Sequence, residues 1–294
     1  MKQIGGQAVI EGVLMRHKSE VATAVRRADN KISVKKETIN VVPKNFFTKL
    51  PFVRGIVVLI ESLVVGIKSL NYSANESMAG SSEDHEEEEL STWQLALTLI
   101  VSFGFAIAIF KFLPLLLTQG VQLGIPYLKE NVFAFNLIEG ILKSMIFVFY
   151  VWIISLMPDI KRVFEYHGAE HKTIHTYEAG EKLTPDNVKN HTTLHPRCGT
   201  SFIIFVLLLS ILVYAIIPNT MNFWIKFLLR VALLPVIAGL SYEVIKLSAK
   251  FPDNIILKII DAPGMWIQRL TTKEPSKEQI QVAIAAFNGV AKED

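Results

Sequence analysis

The stretch WQLALTLIVSFGFAIAIF (93–110) decides the fold class, because it contains no charged side chain from end to end. A helix needs about 20 predominantly apolar residues to cross a bilayer. Three further runs approach that length, at 136–157, 200–217 and 223–240. The sequence therefore predicts a mainly α-helical, polytopic membrane protein with about four transmembrane helices, two within 93–157 and two within 200–240.

Two of these runs contain charged residues. Glu139 and Lys143 are four residues apart in the second run, where one helical face would let them partly neutralise each other. Lys226 and Arg230 lie in the fourth run. We expect both to snorkel or to face the protein interior rather than lipid.

The composition supports a membrane protein and excludes several other classes. Of 294 residues, 51% are hydrophobic and 19% are charged. The net charge of +3, without a basic stripe interleaved with aromatic residues, gives no sign of a nucleic-acid partner. The single cysteine, Cys198, excludes an intrachain disulfide and a CxxC zinc module. The opening MKQIGGQAVIEG (1–12) lacks the apolar core of a signal peptide, so we expect a mature N-terminus.

The N-terminal third has a different character from the apolar runs. Residues 1–50 are rich in strand signals, with a plausible hairpin turn at Asp29-Asn30, and predict a small strand-containing part. Residues 51–70 are apolar but contain three charges, which favours an amphipathic or re-entrant membrane helix, with a true span as the alternative. Residues 71–92 are typical of an acidic flexible linker. Residues 112–124, with Pro114 and Gly120, predict a broken external or re-entrant stretch.

The positions of lysine and arginine predict the orientation. Residues 1–92 hold twelve of these cations, the loop 158–199 holds six and the tail 241–294 holds seven, against three in 111–143 and none in 218–222. Cytoplasmic segments are enriched in lysine and arginine. We therefore expect a multi-pass protein of the bacterial cell membrane with a cytoplasmic N-terminus, central loop and C-terminus.

The tail is predicted to be helical. Ser241–Phe251 is one candidate helix, and Ile255–Leu270 is another, interrupted at Pro263-Gly264. A third helix runs from Pro275 to Asn288. Its apolar stripe predicts that it packs against the rest of the cytoplasmic part, and the stripe consists of Ile280, Ala283, Ile284 and Phe287.

Five of the seven histidines lie in the central loop, which is the densest chemistry in the chain. The segment DIKRVFEYHGAEHKTIHTYEAG (159–180) predicts a helix that places His167, His171 and His175 within an arc of about 80°. Imidazoles at positions i and i+4 of a helix can share one metal ion. His167 to His171 also fits the H-x-x-E-H pattern of inverzincin metallopeptidases, in which the glutamate, here Glu170, acts as base. Glu178 and Glu243 are candidates for a further acidic ligand.

The second half of the loop adds three more candidate ligands. His191 falls near the end of a short helix that begins at Thr184-Pro185, and His195 and Cys198 fall on an extended turn before the third apolar run. A cysteine thiolate among imidazoles favours zinc or iron over magnesium. The alternative is structural: the histidines would form ordinary hydrogen bonds, and Cys198 would be a buried thiol without a metal.

Several blocks of this sequence resemble the YqhQ-like family of bacterial membrane proteins, whose members have no known function and are described as predicted metal-dependent enzymes. The blocks that carry the resemblance are GGQAVIEGVLMR (5–16), PFVRG (51–55), YHGAEHKTIHTYE (166–178), HPRCGTSF (195–202), LSYEVIKLS (240–248) and APGMWIQRLTTKEP (262–275). The resemblance covers nearly the whole chain. It draws attention to Glu11 and Arg197 in addition to the histidine-loop residues.

Two function hypotheses follow from the sequence. In the first, the protein is a metal-dependent membrane hydrolase acting on a membrane peptide or lipid. Zinc or iron is held by His167 and His171 with His195 or Cys198, Glu170 activates water, and Arg197 stabilises a developing oxyanion. In the second, the protein is a non-enzymatic chaperone or assembly factor for other membrane proteins, and its histidines are structural or sense pH. Metal transport is a weaker third hypothesis, because the histidines lie in a loop rather than in the spans.

Overall fold

The computed structural model describes residues 4–39, 46, 48, 50–80, 92–196, 198–251 and 254–291. A small antiparallel sheet forms the N-terminal part, and most of the other described residues are helical. The strands are β1 Gly5–Val9, β2 Gly12–His17, β3 Glu20–Arg26 and β4 Ile32–Thr38. They pair in sequence order. The predicted hairpin is therefore confirmed, with Asn30 at a positive φ of 65° in the turn between β3 and β4.

The first long helix, α1, spans Val53–Met78. It includes the predicted amphipathic segment but continues eight residues into the predicted linker, because NYSANES (71–77) contains no glycine or proline. Gly80, at a φ of 87°, follows its end. The acidic stretch 81–91 lies outside the described residues.

Two long apolar helices follow. Helix α2 (Thr92–Ile107) runs through a π-helical turn (Ala108–Phe112) into α3 (Leu113–Gly124), and α5 spans Val132–Ser155 after the short α4 (Tyr127–Glu130). The predicted break at 112–124 is wrong, because the helix continues through Pro114, which follows directly after the π-helical turn. Within the part of the chain that the structure describes, Leu97–Gly124 and Val132–Ser155 are long and apolar enough to cross a membrane.

The second group of apolar helices is shorter. Helix α8 spans Gly199–Tyr214, and α9 (Phe223–Ala232) and α10 (Leu234–Lys250) meet at a bend of 42°. If the bent pair forms one span, the described residues contain three helical stretches with the length and composition of a membrane span. These helices are compatible with a membrane protein, and the prediction of a mainly helical chain with long apolar helices is confirmed.

The tail packs against the sheet and the histidine loop. Helix α11 spans Ile255–Thr271, and α12 spans Lys277–Val290. The predicted interruption at Pro263-Gly264 is wrong: α11 continues through Pro263, and Gly264 packs directly against Ser201 of α8. The apolar stripe of α12 is buried with Val13 and Ala24 of the sheet and Tyr166 of the loop in one core. The predicted packing of the α12 stripe is therefore confirmed, and its contacts are with the sheet and the histidine loop.

Candidate metal centre

Helix α6 (Pro158–Glu178) carries most of the candidate ligands. It begins with Pro158, whose fixed φ suits a first helical position, and Asp159 stands in its first turn, where a negative charge is favourable. It ends before Gly180, whose φ of 73° suits the residue after a helix. Helix α7 (Pro185–Lys189) and residues 190–196 then fold back along α6 and present the second set of ligands.

Three of the predicted ligands converge in a group that we call the His/Cys cluster: His167, His171 and Cys198. One donor atom from each lies within 4.8 Å of the other two. His167 Nε2 is 3.2 Å from Cys198 Sγ, and the centres of the His167 and His171 rings are 4.3 Å apart. Bond lengths of about 2.0–2.3 Å to a tetrahedral zinc ion would place nitrogen and sulfur ligands about 3.5 Å apart. The cluster is therefore close to the spacing that a zinc site requires.

The other ring nitrogen of each histidine in the cluster is held by a backbone carbonyl. His167 Nδ1 donates to Thr271 O at 2.8 Å, and His171 Nδ1 donates to Thr193 O at 2.5 Å. A carbonyl only accepts hydrogen bonds, so both Nδ1 atoms carry a proton, and in a neutral ring the Nε2 atom is then the one that can bind a metal. Metal-binding histidines are oriented by the same kind of hydrogen bond from the nitrogen that does not bind the metal.

Cys198 caps the start of α8 at the edge of this cluster. Its sulfur accepts hydrogen bonds from the hydroxyl of Thr200, at 3.2 Å, and from the Thr200 backbone N–H, at 3.5 Å. Burial raises the pKa of the thiol above its usual value, although these hydrogen bonds oppose the shift. Without a metal ion, Cys198 is therefore a neutral thiol at neutral pH, and a bound cation would favour its ionisation.

Glu170 is buried beside the His/Cys cluster and is only 4% exposed. Its Oε2 atom has no hydrogen-bond partner among the described residues. Burial raises the pKa of this carboxyl to about 8, and the neighbouring His167 and the backbone N–H of Gly6 oppose the shift. A buried carboxyl with an unpaired oxygen near potential metal ligands is suited to accept or donate a proton.

The sheet contributes Gly6 to this site. A Cβ atom on Gly6 would lie 2.5 Å from Leu14 O and 3.1 Å from the Glu170 carboxyl carbon. Only glycine therefore lets β1 approach Glu170 this closely. The block GGQAVIEGVLMR indicated that this segment matters, but the contact with Glu170 depends on tertiary structure.

A second group, the His/Glu cluster, consists of His175, Glu178 and His195. Their donor atoms also lie within 4.8 Å of one another. His195 Nε2 is 3.4 Å from Glu178 Oε2, and His175 Nε2 donates to Leu194 O at 2.8 Å. The His195 ring lies 5.7 Å from the His171 ring, so the two clusters are neighbours along α6.

Gln268 of α11 fixes the backbone of His195. The Gln268 side-chain oxygen accepts from His195 N at 2.8 Å, and its amide nitrogen donates to His195 O at 2.8 Å. Gln268 lies in the block APGMWIQRLTTKEP, but no local pattern marks it as a site residue. Burial lowers the pKa of His195 to about 4 and that of His171 well below its usual value, so both rings are neutral at pH 7.

The remaining predicted residues fall outside these clusters. The His191 ring is parallel to the His175 ring with the ring centres 6.4 Å apart, and its Nε2 lies 3.3 Å from Glu181 Oε2. His191 therefore lies at the edge of the site. Glu243 pairs with Arg54 of α1 and is not one of the ligands that converge. Arg197 lies outside the described residues.

Glu11, which the family resemblance singled out, supports the site from a distance. It lies in the turn between β1 and β2 and pairs with Arg162 of α6, whose Nη2 donates to Oε2 at 2.7 Å. The hydroxyl of Tyr166 also donates to Glu11, at 3.1 Å. Glu11 therefore ties the sheet to the helix that carries the ligands.

Comparison with known proteins identifies the family. Residues 50–293 match the family described as "Protein of unknown function (DUF1385)". A curated protein of Bacillus subtilis (strain 168), "Uncharacterized protein YqhQ", is 40% identical over 297 residues, which cover 97% of this chain and 91% of that relative. No solved structure matches the chain. These descriptions name neither a metal nor a reaction, and they show that this chain belongs to the DUF1385 family of YqhQ-like proteins.

Proposed function

We propose that this protein is a metal-dependent membrane hydrolase, with zinc as the favoured metal and iron as the alternative. One observation carries the proposal: donor atoms of His167, His171 and Cys198 lie within 4.8 Å of one another, and a backbone carbonyl holds the Nδ1 atom of each histidine. Three protein ligands with a fourth position left for water or substrate are typical of catalytic zinc sites.

The proposal assigns His167, His171 and Cys198 as the metal ligands. His195 and His175, with Glu178, flank these ligands, and His191 lies at the edge. Zinc bound there would supply Lewis acidity to a carbonyl or phosphoryl group. A mixed set of nitrogen and sulfur ligands suits zinc or iron and disfavours magnesium or calcium.

Glu170 is proposed as the base of the reaction. A bound cation would favour the ionised form of this carboxyl, and its unpaired Oε2 would then accept a proton from water during attack and return it to the leaving group. Arg197 is proposed to stabilise negative charge that develops on the substrate, because a guanidinium donates several hydrogen bonds in a fixed plane. The role of Arg197 rests on its place in HPRCGTSF, next to the ligand Cys198.

The proposal places this site at the cytoplasmic face of a bacterial cell membrane. Four spans would be formed by Leu97–Gly124, Val132–Ser155, the shorter α8 and the bent pair α9–α10. Helix α6 begins three residues after the second of these spans, and Cys198 directly precedes the third. Lysine and arginine are concentrated in the segments that would then be cytoplasmic, including both termini. A substrate near the inner leaflet, either a membrane peptide or a lipid, suits this position.

A comparison of Glu170→Gln with wild type tests the enzymatic role. Zinc-loaded protein in lipid nanodiscs would be incubated with bacterial lipid extract and membrane peptides, and the products compared by mass spectrometry. We expect wild type to generate products and Glu170→Gln to retain zinc without generating them. Loss of zinc in Glu170→Gln would contradict its role as base.

The same experiment distinguishes the second candidate, a chaperone or assembly factor for other membrane proteins. If zinc-loaded wild type changes none of these molecules, the hydrolase proposal fails. A stabilising role for the metal is then favoured, because the clusters join the loop, α8, α11 and the sheet.

A further inference from the structure

Five charged side chains are buried among the helices that are apolar enough to cross a membrane. Glu139 and Lys143 lie on α5, Lys226 and Arg230 on α9, and Lys111 on the π-helical turn. None is more than 8% exposed. Charges are costly inside a bilayer, and those that occur there usually belong to a binding site or a transport path.

These charges do not balance. Glu139 forms an ion pair with Arg230, and its Oε1 lies 3.6 Å from Lys143 Nζ. The basic groups also donate hydrogen bonds to neutral partners: Lys111 Nζ to Tyr214 Oη at 2.9 Å, Lys143 Nζ to Ser210 Oγ at 3.2 Å, and Arg230 Nη2 to Asn136 Oδ1 at 2.8 Å. Within this described cluster, one carboxylate therefore faces four basic side chains.

Three of the basic groups surround one aromatic ring. Lys111 Nζ, Lys143 Nζ and the Arg230 guanidinium carbon lie 5.2, 4.9 and 5.1 Å from the centre of the Tyr214 ring. Tyr214 is only 1% exposed. Cation–π attraction offsets part of the repulsion among the three groups but adds no negative charge. The buried Arg230 Nε also has no hydrogen-bond partner among the described residues.

The two helices that bring these basic groups together are irregular at the same place. Lys111 belongs to the π-helical turn near the middle of Leu97–Gly124. Arg230 lies one turn before the 42° bend between α9 and α10. π-Helical turns are frequent at functional sites, and broken helices near the middle of a membrane form many substrate sites.

From these observations we infer that the helical bundle holds an anion-binding site for a phosphate group, formed by Lys111, Lys143 and Arg230 around Tyr214. A phosphate group carries between one and two negative charges near neutral pH and has several acceptor oxygens for ammonium and guanidinium donors. The phosphate would come either from the headgroup of an anionic lipid or from free inorganic phosphate. This site is separate from the proposed metal centre and does not depend on it.

Thermal unfolding of the full-length chain in nanodiscs, followed by tryptophan fluorescence, tests the inference and separates the two sources. One arm titrates sodium phosphate into phosphatidylcholine nanodiscs, with sodium chloride at matched ionic strength as the control. The other arm replaces part of the phosphatidylcholine with phosphatidylglycerol. A saturable rise in Tm is expected in at least one arm: with phosphate if the ligand is free, or with phosphatidylglycerol alone if it is a headgroup.

Charge variants connect that rise to the cluster. Lys143→Met is expected to weaken the apparent affinity about tenfold or more, because it removes a buried cationic partner. Glu139→Gln is expected to strengthen it, because it removes the carboxylate that competes with the ligand. Lys129→Met, at an exposed position on α4, serves as the matched control and should bind as wild type does.

Three results would overturn the inference: no saturable rise in either arm, an equal rise with chloride, or an unchanged affinity in a folded Lys143→Met protein. If Lys143→Met does not fold, Glu139→Gln decides, and an affinity equal to or weaker than wild type contradicts the site. Zinc content, measured in the same samples, should not differ among the variants, so failure here is distinguishable from failure of the metal centre.

Discussion

Replacing Glu170 with Gln should change how the stability of the metal-free protein depends on pH. Burial raises the pKa of this carboxyl from 4.5 to about 8. Between these values the unfolded chain has released the proton while the folded protein still holds it. Rising pH therefore favours unfolding, so the contribution is fully present below pH 4.5 and is lost as pH rises to 8.

The size of the effect follows from the pKa shift. Each pKa unit corresponds to about 1.4 kcal/mol, so ionisation of Glu170 in the unfolded chain lowers the free energy of unfolding by about 4–5 kcal/mol between pH 4.5 and pH 8. The glutamine of the variant does not titrate, but its buried amide lacks a partner and costs about 1–2 kcal/mol. The variant should therefore be about 3 kcal/mol more stable than wild type at pH 8 and within about 1 kcal/mol of it at pH 5.

Chelator-treated protein in detergent, unfolded by heat at a series of pH values, measures this difference. A gain of about 3 kcal/mol corresponds to a rise in Tm of about 6–12 °C at pH 8. His171 and His195 have lowered pKa values, so their contribution to the stability of the protein is lost as pH falls below 6.5. Both histidines are present in both proteins, so this contribution cancels in the comparison. Glu130→Gln, a change of equal charge at an exposed position on α4, should follow wild type at every pH. An equal dependence on pH in wild type and Glu170→Gln would refute the reasoning.

Three further predictions concern the surroundings of the clusters. Gly168→Ala should lower the Tm sharply, because the added Cβ atom would overlap the Lys273 carbonyl. Gly104→Ala, whose added Cβ atom would have no neighbour within 4 Å, should unfold as wild type does. Equal Tm values for the two variants would contradict the packing. Gln268→Ala removes both hydrogen bonds to the His195 backbone and should destabilise the protein by about 2–3 kcal/mol in thermal unfolding. An unchanged Tm would show that these bonds do not hold the loop. Cys198 is the single cysteine of the chain, so its alkylation can be followed by intact mass. Alkylation should be slow with zinc bound and should accelerate after chelation at alkaline pH, where the thiol ionises. Equal rates with and without zinc would remove Cys198 from the ligand set.

The sequence is most informative where a pattern within one element determines the outcome. Uninterrupted apolar runs predict the long helices, and strand signals on both sides of Asp29-Asn30 predict the hairpin. The spacing of His167, His171 and His175 predicts a row of imidazoles along one helix, and α6 places them there.

Prolines account for the main errors in the helices. Pro114 and Pro263 both favour breaks by local rules, but the first lies in the opening turn of α3 and the second is accommodated within α11. Local rules give the cost of a proline, whereas packing against neighbouring helices decides whether the helix continues.

The division of the ligands into two clusters depends on tertiary structure. Which histidine meets Cys198 is set by how residues 190–196 fold back along α6, and that path is fixed by Gln268 of α11. The Thr193 and Thr271 carbonyls that orient the rings are backbone atoms, so no residue type indicates them. The approach of Gly6 to Glu170 likewise joins residues that are far apart in the sequence.

The central claim, a metal centre formed by His167, His171 and Cys198, is tested most directly by elemental mass spectrometry of the purified full-length protein without affinity-tag histidines. Wild type should contain about one zinc or iron ion per chain. His167→Ala/His171→Ala should lose that ion while remaining folded, and His191→Ala, at the edge of the site, should keep it. A folded wild-type protein that contains no metal and binds none when zinc or iron is added would contradict the account.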